Sequence, residues 1–98
     1  MPALSAYLSV WNTCLVILQQ KGFRTWTDED ENYFYAERDG WDFMGDDPIQ
    51  LLGLVAVFEH THPSKHEEYW WRIEDPRLVE SLPKNAPEYI PIYSHPNQ

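Results

Sequence analysis

The stretch Phe58–Trp71, "FEHTHPSKHEEYWW", places His60, His62 and His66 among Glu59, Glu67 and Glu68. Imidazoles and carboxylates at such spacing are the donor types that hold zinc, and a zinc with one open position activates water for hydrolysis. His60 and His62 could chelate together, with His66, Glu59 or Glu67 as a further ligand. The same residues also suit a purely structural role. Imidazoles are favourable at the negative end of a helix, and Pro63 cannot continue one. On this reading a helix ends near His60 and "SK" forms a polar loop, so the segment turns the chain and His60, His62 and His66 are only weak metal candidates.

"HTHP" (His60–Pro63) resembles the core of the JAMM metalloprotease signature, His-x-His-Pro followed by a spaced Ser and Asp. The resemblance covers these four residues and would imply a metal-dependent protease. Trp71 stands where that family has its serine and Glu74 where it has its aspartate, with Asp75 one place late. The chain is also shorter than that fold's metal scaffold requires.

Other chemistries have less to build on. Asp28, Asp30 and Asn32 match the first, third and fifth places of a calcium loop, but Tyr33 replaces the turn glycine and Asp39 the bidentate glutamate. Ser5, Ser9, Ser64, Ser81 and Ser94 lie in no Gly-x-Ser-x-Gly elbow. No glycine-rich phosphate loop is present, and the carboxylates crowd a polar segment rather than an apolar pocket that would raise a pKa. The sole cysteine, Cys14, lies on an apolar stripe and reads as core. The expectation is therefore a protein that is not an enzyme and has no cofactor.

Charge is distributed more tellingly than its total of −9 suggests. From Thr27 to Asp47 nine carboxylates face Arg38 alone, a net of −8 that leaves −1 for the rest of the chain. Trp26, Tyr33, Tyr35, Trp41 and Phe43 interleave with these acids. Clustered charge speeds association with an oppositely charged surface, and aromatic side chains anchor it. The residues assigned to partner binding are Asp28, Glu29, Asp30, Glu31, Tyr33, Tyr35, Glu37 and Asp42. Direct nucleic-acid binding is disfavoured, because phosphate contacts need Lys and Arg and only seven are scattered along the chain.

The elements that must position these residues follow from periodicity. Apolar residues from Leu4 to Leu18 recur at helical spacing and Gly22 is a stop, which predicts a helix over Ala3–Lys21. "FRTWT" (Phe23–Thr27) is a strand, and "YFYAERDGWDFM" is a hairpin about a type I′ turn at Asp39-Gly40. That turn pairs Arg38 with Trp41, Glu37 with Asp42 and Ala36 with Phe43, pointing Phe34, Ala36, Trp41 and Phe43 inward. Directly opposed carboxylates repel, so the Glu37/Asp42 face should meet solvent or a cation.

Asp46 or Asp47 can cap a second helix with Pro48 at its first position. Its body, Ile49–Phe58, is apolar on nearly every face, implying burial on more than one side; a buried strand is the rival reading. Glu67–Ile73 reads as a strand with Tyr69, Trp71 and Ile73 on one face, and "DPRLVESL" as a short helix. The order α-β-β-β-α-β-α predicts an α+β sandwich, a small antiparallel sheet of about four strands packed by two main helices. Residues 1–82 form the expected domain and 83–98 an extended Pro-rich tail whose "YIPIY" packs back.

A lone cysteine, no secretory pattern and no apolar run of membrane-spanning length point to a cytoplasmic protein without membrane contact. In size, charge and layout the chain resembles bacterial immunity and antitoxin proteins. That resemblance implies an inhibitor docking a basic protein partner, such as a toxin or nuclease. The alternatives are a non-enzymatic adaptor or homodimeric assembly protein that uses its apolar surfaces, with Trp70 and the second helix as contacts, and a metal-dependent hydrolase at His60, His62 and His66.

Overall fold

The sheet is a three-stranded antiparallel meander, described by a computed structural model over residues 2–94. Helix α1 (Val10–Gln20) leads into strands β1 (Arg24–Thr27), β2 (Phe34–Arg38) and β3 (Trp41–Gly45), followed by helix α2 (Pro48–Thr61). These elements lie in a compact unit from Ala6 to Trp71, and the described residues 2–5 and 72–94 belong to a second. The fold is α+β, with a small antiparallel sheet and two main helices, as expected.

The hairpin forms because Asp39 and Gly40 both take positive φ, 53° and 85°, as a type I′ turn requires. Register follows from the turn: Arg38 pairs with Trp41, Glu37 with Asp42 and Ala36 with Phe43. β1 adds on the other side of β2, with Trp26 opposite Tyr35 and Arg24 opposite Glu37. Alternation then sorts the side chains. Phe34, Ala36 and Phe43 meet Leu18, Phe23, Leu51, Val55 and Phe58 in the core, and both helices cover this one face.

Helix α2 starts where the Asp47 carboxylate accepts the Gln50 N–H at 2.8 Å, and Gln50 Oε1 reaches back to the Asp46 N–H at 2.8 Å. A Cβ on Gly45 would lie 3.0 Å from Gln50 Cβ, so glycine makes room for this reciprocal cap. Asp47 is thus the cap and the rival strand is ruled out. Asp47→Ala should cost about 1 kcal/mol. Asp46→Ala, whose side chain takes no part in the cap, should melt within a degree or two of wild type; equal losses in the two variants would contradict this assignment.

Three expectations are corrected. Helix α1 begins at Val10, not Ala3. The apolar period continues upstream, but Leu4 and Leu8 are 70% and 71% exposed, so no burial compensates the cost of ordering extra turns. Glu67–Ile73 is no strand: Tyr69 adopts φ 58° and the Trp70 N–H bonds to the Glu67 carbonyl, a turn. Here aromatic packing overrides strand propensity, because Trp70 rather than Trp71 turns inward, 5.4 Å from Trp41 and 6.1 Å from Phe58 between ring centres. Finally, α2 is buried on one side only. Leu51 and Val55 are sealed in the core, whereas Leu54 and Val57 are 40% and 41% exposed.

The second unit contains a one-turn helix α3 (Leu78–Ser81) and a 3-10 turn at Ile92–Ser94. Asp75-Pro76 is a cis peptide. Residues 95–98 of the expected tail lie outside the described residues.

Candidate functional site: the helix-free face of the sheet

With both helices on one face, the other presents two rows running across the strands. The first is Trp26, Tyr35 and Met44, in register on β1, β2 and β3. The Trp26 and Tyr35 rings stack with centres 5.4 Å apart and planes 6° from parallel. Trp26 is nonetheless 48% exposed and Met44 54%. Large apolar side chains in one open row are a feature of interaction surfaces rather than of a solvated sheet face.

The second row is Arg24, Glu37 and Asp42. Arg24 donates to Glu37 Oε1 from Nε at 2.8 Å and from Nη2 at 2.5 Å, and the Gly40 N–H donates to Oε2 at 2.9 Å. The Gly40 N–H first, and then Arg24, hold the Glu37 carboxyl below the ordinary glutamate range. The repulsion expected between Glu37 and Asp42 is therefore only partly met, by a cation from β1 that pairs with Glu37 and not with Asp42. Arg24 was not recognised from sequence because no tight turn sets the β1–β2 register. Among the described residues no Lys, Arg or His forms an ion pair with Asp42.

The sign of the Glu37 shift gives a pH prediction. A carboxyl with a lowered folded pKa stabilises the fold above its unfolded pKa, about 4.3 for glutamate, and loses that contribution as pH falls through the folded value. Melting temperature between about pH 5 and pH 3 should therefore fall more steeply for wild type than for Glu37→Gln. Parallel profiles would show that the carboxylate does not hold the turn.

The remaining acids frame this face. Loop 28–33 is organised by Asp28, whose Oδ1 accepts the Asn32 N–H at 2.7 Å and whose carbonyl accepts the Glu31 N–H at 3.0 Å. Glu31 takes φ 55°. Asp28, Glu29, Asp30, Glu31 and Tyr33 thus lie in the β1–β2 loop, at the opposite end of β2 from the Asp39-Gly40 turn. Of the residues assigned from sequence, Tyr35, Glu37 and Asp42 share the open face and the loop residues border one end. Trp26 and Met44 were missed as members, although strand alternation with Tyr35 would have found them.

The histidines are arranged differently. His60 is exposed in the last turn of α2, and His62 is its left-handed C-cap at φ 49°, donating its N–H to the Phe58 carbonyl. His66 lies against Trp41, 6.2 Å between ring centres. Among the described residues, no three His, Cys, Asp or Glu side chains are grouped so as to hold a metal ion. Cys14 is buried, and burial followed by the Asp47 charge pushes its thiol pKa up, away from the reactive thiolate. No helix of the described residues is long and apolar enough to cross a membrane.

Compared with protein families, with curated proteins and with solved structures, the chain matches none.

Proposed function

We propose that this chain is a small cytoplasmic inhibitory protein of the immunity or antitoxin kind, which acts by docking a basic partner rather than by catalysis. The observation that carries this reading is the open row Trp26–Tyr35–Met44, flanked by the acidic loop 28–33 at one end and by Asp39 and Asp42 at the other. Carboxylates steer a basic surface into encounter, and the stacked rings provide rigid anchors once water is expelled. Its carboxylates disfavour nucleic acid and acidic proteins by like-charge repulsion, and so favour a basic protein.

The test is affinity capture from source-cell lysate at low salt, followed by elution with rising salt. A basic protein retained by wild type, released stepwise by salt and not retained by Glu29→Lys/Glu31→Lys supports the reading. Equal retention by the charge-reversed variant removes it. Sedimentation of the free protein addresses the assembly alternative: a salt-insensitive dimer would place the exposed Leu54 and Val57 in a contact between two copies instead.

A further inference from the structure

β3 is an edge strand, since among the described residues no strand pairs with the side turned away from β2. Two pockets adjoin along it. One, of about 410 Å³, lies beside the start of the strand and is lined by Asp39, Trp41, Asp42, Lys65, His66 and Trp70. The other, of about 460 Å³, lies beside the end of the strand and is lined mainly by Asp42, Met44, Leu54, Val57 and Trp70. Asp42 and Trp70 belong to both. One pocket therefore joins carboxylates to indole rings, the next is apolar, and a single carboxylate stands at their junction.

The charges in and beside the first pocket show what it lacks. Glu37, outside the pocket, has Arg24, and the pocket's own Lys65 is directed to Glu67 at 3.5 Å. Asp39 has only a loose contact with Arg38 at 3.9 Å, and Asp42, directly opposite Glu37 in the sheet, has no ion pair among the described residues. A cation arriving from outside would relieve the Glu37/Asp42 repulsion and could lie against the Trp41 and Trp70 rings. Beside it, the exposed Leu54, Val57 and Met44 would bury a large apolar side chain. In an extended chain, side chains on one side recur every second residue, about 6.6 Å apart, which suits two pockets that share a wall.

We infer that the groove along the outer edge of β3 receives an extended segment of a basic protein, carrying Arg or Lys and, two residues away, a large apolar side chain. This rests on the basic-partner reading above and specifies the element by which the partner is held.

The probe is a fluorescein-labelled dodecapeptide of Arg-Thr-Leu-Thr repeats, titrated with the full chain and followed by anisotropy. Two counterparts replace every Arg by Glu or every Leu by Ala. The Arg/Leu peptide should bind at least about tenfold more tightly than either counterpart. Asp42→Asn and Leu54→Gln should each weaken it by about tenfold. Asp42→Asn should do so while melting no lower than wild type, because it relieves a repulsion in the free protein; a merely structural role would move both readouts together. Binding that persists in both groove variants but is lost in Glu29→Lys/Glu31→Lys would overturn the β3-edge site and leave the basic-partner reading standing. Equal affinity for the Glu and Arg peptides would overturn both. Binding of none of the peptides would overturn the groove assignment, leaving the broader reading to the capture experiment.

Discussion

Leu51→Ala should destabilise the fold by about 2–5 kcal/mol, out of roughly 5–15 kcal/mol for a typical domain. Leu51 is fully buried on α2, in the same cluster as Leu18, Val55 and Phe23 from α1, α2 and the entry to β1, and Ala36 from β2. Few of the described side chains are sealed, so a cavity at Leu51 removes contact from both helices and the sheet at once. The flanking Phe34, Phe43 and Phe58 have rigid rings that fill such a hole poorly. Urea unfolding measures the effect. Leu54→Ala, three residues along the same helix and 40% exposed, is the internal control and should cost less than half as much. Similar losses at the two positions would mean that α2 is held differently from the arrangement described.

Trp26→Ala should weaken partner binding by more than about 2 kcal/mol, roughly 30-fold in Kd. The truncation takes away the larger ring of the open row and leaves Tyr35 without the plane on which it stacks. The stability cost should be near the worth of one aromatic pair, about 1 kcal/mol, so binding and folding losses separate. Calorimetry with the captured partner reads the first and thermal melting the second. Val16→Ala, which removes an exposed apolar side chain on α1, should leave Kd within about twofold of wild type. An unchanged Kd for Trp26→Ala would remove the helix-free face from the interface, whatever the partner proves to be.

Much of the positioning scaffold was legible from the chain alone, for definite reasons. Asp39-Gly40 admits positive φ at two successive residues, which sets the hairpin register and with it the faces of Phe34, Ala36, Phe43, Glu37 and Asp42. The Asp-Pro start of α2 combines a cap acceptor with a residue that needs no N–H donor of its own. The failures occurred where tertiary contact decides. The apolar period through Leu4 and Leu8 is genuine, yet a helix lengthens only if its stripe finds a surface. Tyr69, Trp70 and Trp71 have strong strand propensity, but Trp41 and Phe58 offer Trp70 an aromatic pocket that a regular strand could not fill. Arg24 escaped notice for a related reason: its role depends on a register fixed across loop 28–33, whose Asp28 side-chain bond from the Asn32 N–H has no two-residue signature.

The meander order β1-β2-β3 also bears on how the chain reaches its fold during synthesis. Each strand pairs only with its neighbour in sequence, so neither ladder waits for a distant segment, and both hairpins can close on the microsecond scale, roughly 1–10 µs each. Translation adds about 5–20 residues per second. The sheet can therefore pair fully before α2 leaves the ribosome. For that interval Leu51, Val55 and Phe58 of α2 are missing from the core, so Phe34, Ala36 and Phe43 lack that part of their cover. The carboxylates of the segment from Thr27 to Asp47 are present throughout the same interval. Their mutual repulsion disfavours sheet-to-sheet association between nascent copies, so the charge proposed to choose a partner in the finished protein also protects the unfinished one.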